Sequence, residues 1–403
     1  MSAVRGVRGP DCDVAVLGAG PAGCALALRL ARRGFRVITV DQRAVPAPKL
    51  CGEFLSAEAV ARLAELDLLA GLSAGAAPVE IAAVRLTAPR TPELVHRLEP
   101  ASLGLSRLAL DAALARAAAD AGAEIRARWR ATGVVRRDDG FAIRGVAASG
   151  GHEEIVARAV TGAFGKAERL GDPDGGTADG AGFIAWKAHH GGAGPRATVE
   201  LHAFAGGYLG VGPIEGDRVN VCGIATRAAF ERAGASVAAL AARAARENPA
   251  LAARLAGLKR LEPDHTAATM PFRRRRPTAG DFPLVGDAAA IIAPLCGDGI
   301  GMALTAAAIA EPVLARHLEG RLSRDTMLAD YAVRWRRAFS RQLAIGSALQ
   351  RLLLAPAGAA WALRLGRIAP PLVDWLVRNT RDTALSAGAA SCVQAGPDPG
   401  RWA

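Results

Sequence analysis

The opening segment of this 403-residue chain leaves it few folds to choose from. Asp13 to Leu17 is a short, mostly apolar run, the pattern of a strand buried on both faces. Gly18-Ala-Gly20-Pro21-Ala22-Gly23 follows. Cys24 to Arg33 then has helical spacing up to Gly34, and Phe35 to Val40 reads as a second strand ending on Asp41. Strand, glycine turn, helix and strand within about 30 residues make a βαβ unit. Gly18 permits the tight turn, Gly20 lets the backbone approach a pyrophosphate, and Gly23 lets the helix pack on the strand. The unpaired N–H groups at the helix start would receive that pyrophosphate. The Asp41 carboxylate can accept both hydroxyls of a ribose, so the unit predicts a bound dinucleotide, with Pro21, Ala22, Gln42 and Arg43 alongside it.

A second glycine-rich stretch lies late in the chain. Gly286-Asp287-Ala288-Ala289 is followed by Pro294, Gly297, Gly299, Ile300 and Gly301, and a helix is predicted from about Gly301 to Leu318. A carboxylate at a strand end can hold a hydroxyl, and a glycine-rich helix start offers positive potential to an anion. Arg107 and Asp111 stand four apart on a predicted helix from Arg107 to Ala121, where a plain surface pair is the competing reading.

Between these motifs, Ser56 to Ala70 reads as a helix, and Ile81 to Thr87 and Glu93 to Leu98 as strands of a different layer. Ile125 to Trp129, Val134 to Arg137 and Phe141 to Val146 predict a small antiparallel meander. Gly180 to Thr226 is patterned as β throughout, Val237 to Asn248 and Pro249 to Gly257 as helices, and Arg321 to Asp382 as a helical tail broken at Pro356 and Pro370-Pro371.

Composition excludes several classes. The net charge is +12, yet only four of the 50 basic residues are lysine and the arginines are spread along the chain, so no nucleic-acid partner is expected. The dense cluster Arg273 to Arg276 reads as a solvated loop or as a docking patch for an acidic partner. Six scattered cysteines with no CxxC, and no apolar run in Met1 to Asp11, lead to the expectation of a reduced, cytoplasmic protein. No His/Cys/Asp/Glu group has metal-ligand spacing, so no metal is expected.

Taken together, the first Gly-x-Gly-x-x-Gly, the Arg107 helix and the late Gly-Asp-Ala-Ala…Pro…Gly-x-Gly-Ile-Gly set resemble FAD-dependent oxidoreductases of the p-hydroxybenzoate hydroxylase fold, with the nearest likeness to the geranylgeranyl reductase branch. The resemblance covers roughly residues 11–320. It implies an α/β protein with a Rossmann-type FAD-binding domain (11–75, 101–170 and 270–320), a β-rich substrate domain (76–100 and 171–269) and a helical C-terminal region (321–403). It implies non-covalent FAD, with Gly18, Gly20, Gly23 and Asp41 on the ADP half, Val135 on the cofactor side, and Arg107 and Asp287 toward the pyrophosphate and ribityl. Pro294 to Gly301, and Cys51-Gly52, would border the isoalloxazine. NAD(P)H or another donor would bind transiently, because no second strand-preceded glycine motif is present.

Three stretches depart from the family pattern. Hydroxylases carry Gly-Ala-Asp-Gly where this chain has Gly162-Ala163-Phe164-Gly165. Reductases carry Tyr-x-Trp-x-Phe-Pro where it has Tyr208-Leu-Gly210-Val-Gly212-Pro213, so two rings are missing from the expected cavity wall. Halogenases carry Trp-x-Trp-x-Ile-Pro, whereas Trp186 is followed by Lys187-Ala-His189.

Cys51, Glu53, Lys187, His189 and Tyr208 are the candidate catalytic residues. Glu53 would serve as an acid or base if buried. Lys187 and His189 alternate on one strand, share a face, and could orient a phenolate or carboxylate. Tyr208 would be a polar handle at the cavity rim. The favoured function is a monooxygenase that hydroxylates an aromatic or polyketide-like metabolite through a flavin C4a-hydroperoxide. The alternatives are reduction of a C=C bond in an isoprenoid-like substrate, or a flavoprotein maturation factor acting on a protein partner. The expected ligand is small and hydrophobic or aromatic. Leu352 to Val377, with Trp361, Trp375 and flanking arginines, suits either packing on the FAD domain or a peripheral membrane or carrier-protein contact.

Overall fold

The computed structural model describes residues 9–166, 182–268, 276–355 and 357–380. Most of the Arg273 to Arg276 cluster, and the tail beyond Thr380, lie outside the described residues. A six-stranded sheet has the order Glu124–Ala127, Val37–Asp41, Cys12–Leu17, His152–Gly162, Gly140–Val146, Arg130–Arg137. The first four strands are parallel, as the opening βαβ unit requires. Helices Pro21–Arg32, Arg107–Asp120 and Gly299–Leu318 pack together against this sheet. Gly299–Leu318 has 20 residues with a hydropathy of 1.2, and 72% of its most apolar stretch is buried as a core helix.

Two local expectations are corrected. The strand near Ile125 does not join a meander; it pairs in parallel with Val37–Asp41 at the opposite edge. Helix Arg107–Asp120 leads into it, and such a crossover returns the chain in parallel. The meander's third strand is instead His152–Gly162, which the sequence reading passed over; it pairs antiparallel with Gly140–Val146 and parallel with Cys12–Leu17.

The second sheet is nine-stranded. Helices Arg227–Arg232, Val237–Glu247 and Pro249–Ala256 cover one face through a cluster that includes Trp186, Phe204, Leu209 and Val211. By strand alternation the opposite face carries Lys187, Cys222, Gly210, Leu201 and Leu86 in one cross-strand row. The tail helices Arg324–Leu354, Gly358–Ile368 and Pro370–Asn379 complete the described chain.

Candidate functional site

One cavity of about 880 Å³ lies between the two sheets and the tail. Gly20, Pro21, Ala22, Arg43, Cys51, Gly52, Arg107, Gly286, Asp287, Pro294, Gly297, Gly299 and Ile300 border it, so most of the residues assigned to the cofactor converge on one space. Gly18, Gly23 and Gly301 lie behind the wall. A Cβ on Gly18 would collide with the Ala163 carbonyl, one on Gly23 with the Gly18 carbonyl, and one on Gly301 with the Asp298 carboxylate. Their role is close packing.

The walls suit a dinucleotide. Helices Pro21–Arg32 and Gly299–Leu318 both start at the cavity, and neither first turn is capped by a side chain. Uncapped N–H groups are donors for an anion. Arg107 stands beside Gly20, 4.0 Å from where a Cβ would be. Its guanidinium bonds both Asp111 oxygens, at 2.9 and 2.8 Å. Burial opposes the Arg107 charge, but the adjacent Asp111 carboxylate outweighs it and holds the group protonated. Asp111 is buried, not a surface residue, so the plain surface-pair reading does not hold. Asp41 accepts the Ala19 N–H at 3.1 Å and the Arg43 N–H at 2.9 Å, which fixes the acid at the end of its strand. Gln42 is exposed beside it and does not line the cavity.

Val135 is also away from the cavity. It lies on the edge strand Arg130–Arg137 and is 41% exposed; Val134 takes the inward position, so the two-residue period turns Val135 outward.

The candidate catalytic residues form two groups. Glu53, at φ 55°, is buried with Lys187 and His189. Its carboxylate pairs with Lys187 Nζ, accepts from His189 Nε2 at 2.7 Å, and accepts the Arg107 N–H at 2.8 Å. Burial would raise the Glu53 pKa; the His189 hydrogen bond and the Lys187 charge outweigh that and hold it below the usual carboxylate range. Glu53 is therefore an ionised acceptor. Lys187 and His189 do share a face, but that face is spent on Glu53, and His189 Nδ1 also meets Glu262 at 3.2 Å. Neither residue is free to orient a substrate anion, and neither lines the cavity.

Cys51 and Tyr208 do border the cavity. The Cys51 thiol lies beside the Arg107 guanidinium and accepts the Glu53 N–H at 3.3 Å. Cys222 also lines the wall, but burial pushes its thiol up to about 12. The Tyr208 hydroxyl donates to Gln350 Oε1 at 3.1 Å, and burial raises its pKa well above the usual value. It is a buried latch to the tail. Gly210 and Gly212 face the cavity from a regular strand, Gly207–Ile214, and a Cβ on either would first meet Cys222 or Val199 at 3.2 and 3.3 Å.

Sequence reasoning missed the residues that set the late glycine loop. Asp298, buried at the start of Gly299–Leu318, accepts the Ser56 hydroxyl at 2.5 Å and the Gln342 amide. A carboxylate between Gly297 and Gly299 was the available signal; Gln342 and Gln350, far away on a tail helix, gave none.

A Rossmann-type sheet with two uncapped helix N-termini, a ribose-side acid and a second sheet over the same cavity defines a flavin-type dinucleotide protein. Residues 11–346 match the family described as FAD binding domain, and the chain belongs to that family. It is an FAD-dependent oxidoreductase by family. A digeranylgeranylglycerophospholipid reductase of Methanosarcina acetivorans is 32% identical over 167 residues, which are 40% of this chain and 39% of that protein. The match thus spans about two fifths of that relative's length. Two solved structures share the fold. A flavin-dependent brominase has TM-score 0.74 at 16% identity, covering 95% of this chain and 98% of the other. A geranylgeranyl bacteriochlorophyll reductase-like protein of Thermoplasma acidophilum has TM-score 0.71 at 21% identity, covering 96% and 97%.

Proposed function

We propose that this FAD-dependent oxidoreductase reduces a carbon–carbon double bond in an apolar, isoprenoid-like substrate. The observation that carries the reading is the character of the cavity beyond the cofactor walls. Leu86, Leu201 and Ile224 from the sheet face Leu363, Leu372 and Leu376 from the tail, and the sheet's charged pair, Lys187 and His189, is withdrawn onto Glu53. A phenolate or carboxylate would find no free cation on that wall, which weakens the hydroxylation reading and leaves an apolar chain as the natural ligand. The digeranylgeranylglycerophospholipid reductase match supports the same choice.

Bound FAD, once reduced by a transient donor such as NAD(P)H, supplies the electron pair. The chain orients the double bond and keeps water away from it. Cys51 Sγ holds a proton at the cavity wall, and the neighbouring Arg107 guanidinium stabilises the thiolate left when that proton passes to carbon. Asp287 and the helix starts at Gly20 and Gly299 hold the cofactor.

Gly210 and Gly212 favour a second reading, oxygenation of a bulky ring system, because they widen the wall where rings were expected. Anaerobic single turnover of the reduced holoprotein with a polyprenyl substrate separates the two. A product that has gained two hydrogens supports reduction. A product that forms only with O₂ and gains one oxygen overturns it.

A further inference from the structure

The helix Gly358–Ile368 turns one side to the cavity and leaves an apolar stripe on the other. Leu363 is buried and, with Ala362 and Gly366, lines the cavity. Trp361, Leu365 and Ile368, at i, i+4 and i+7, point outward and are 66%, 51% and 82% exposed. Helical geometry places all three on one face, so this is a continuous strip of large apolar side chains in water. Single exposed apolar residues are ordinary; an outward stripe at helical spacing is not.

The stripe lies at the cavity's edge. Leu352 and Leu365 belong to the cavity lining and are also exposed, so the apolar wall continues onto the outer surface there. Val95, on the strand Thr91–Gly104, adds another exposed apolar side chain in an adjoining hollow of about 320 Å³ that shares Leu94, His96, Gly366 and Val373 with the main cavity.

Charge identifies the occupant. Arg351, Arg364, Arg367 and Arg378 are exposed around the stripe, and Asp374 is the sole acidic residue between Arg341 and Thr380. The whole chain carries +12. We propose that the stripe of Gly358–Ile368, with its arginine border, docks on an anionic phospholipid surface and turns the cavity edge toward the lipid phase. A helix with an apolar face and arginines beside it lies in the interfacial plane, with the rings in the acyl boundary and the guanidinium groups at the phosphates. A greasy ligand could then pass between bilayer and cavity without crossing water. The docking is independent of which reaction the cavity hosts.

The test is co-sedimentation of the full-length holoprotein with vesicles of phosphatidylcholine alone and of phosphatidylcholine with phosphatidylglycerol. Binding should require the anionic lipid and fall when salt is raised to about 0.5 M. Trp361→Ser with Ile368→Ser changes two exposed residues outside the cavity lining. It should weaken partitioning by about tenfold or more, with FAD absorbance and melting temperature unchanged. Arg364→Glu with Arg378→Glu should abolish the preference for phosphatidylglycerol and leave the fold intact. Absence of wild-type binding to either vesicle overturns the proposal, as does equal binding by wild type and the Trp361/Ile368 variant. A wild-type dimer that the same variant converts to a monomer, without vesicle binding, assigns the stripe to a second copy of the chain and likewise overturns it.

Discussion

Glu53→Ala should be among the most destabilising single substitutions in the chain. The carboxylate is fully buried and bridges Lys187 and His189, which are themselves buried. Without it, Lys187 Nζ keeps one weak acceptor, the Lys49 carbonyl at 3.5 Å, and the Arg107 N–H loses its partner. Breaking one side of a buried ion pair costs about 3–5 kcal/mol, a large part of the roughly 5–15 kcal/mol that holds a domain together. Urea unfolding of the holoprotein, followed by circular dichroism, measures the loss. Glu53→Gln keeps the shape and should lose less. Combining Glu53→Gln with Lys187→Met should recover part of that loss, because the stranded charge is gone. The sign of the pH dependence follows from Glu53 titrating below its ordinary 4.5 in the fold. Its contribution is complete above the unfolded pKa and is lost as pH falls through the folded one. Below about pH 4.5, wild-type stability should therefore fall more steeply than that of Glu53→Gln. A Glu53→Ala loss under about 1 kcal/mol, or identical pH slopes in wild type and Glu53→Gln, would show that the cluster is solvated and refute the reasoning.

Three further outcomes are expected. Asp41→Ala should weaken FAD by about 1.5–3 kcal/mol, the worth of charge-assisted hydrogen bonds, read by flavin titration. Gly301→Ala should push a methyl group into the Asp298 carboxylate and reduce stability by about 1–3 kcal/mol, with loss of bound FAD, measured by melting and by flavin content. Gly210→Trp should direct its ring into the cavity and sharply slow turnover of the natural substrate while FAD content holds; a folded, FAD-replete variant with an undiminished rate would remove the cavity argument.

The first βαβ unit was legible because each of its constraints is local: the glycine spacing, the apolar strand and the terminal acid all fall within one short segment. His152–Gly162 was not, although it is central to the parallel sheet. Its first half carries Glu153, Glu154 and Arg158 and pairs with an outer hairpin, so it lacks the unbroken apolar run of a buried strand. The alternation of Lys187 and His189 correctly placed both side chains on one face. Their partner is 134 and 136 residues away in sequence, and no periodicity reports a contact of that range. Tyr208 is the same case: its strand was readable, but Gln350, 142 residues on, makes its hydroxyl a latch.

The two glycines and the tail explain each other. Gly210 and Gly212 remove side-chain volume from the sheet side of the cavity, and strand glycines cost stability unless something uses the space. The tail does not refill that space, since about 880 Å³ remains open. It instead closes over the cavity, with Leu363, Leu372 and Leu376 facing inward and helix Arg324–Leu354 pinned to the sheet through Tyr208 and Gln350 and to the late glycine loop through Gln342 and Asp298. The cofactor walls come from residues 20–53, 107 and 286–300, and the apolar roof from 349–380. Two separate stretches of chain thus carry the two tasks. Substitutions in the roof should change which substrate enters while sparing FAD, whereas the Asp298 link means that loosening the base of the tail would disturb both.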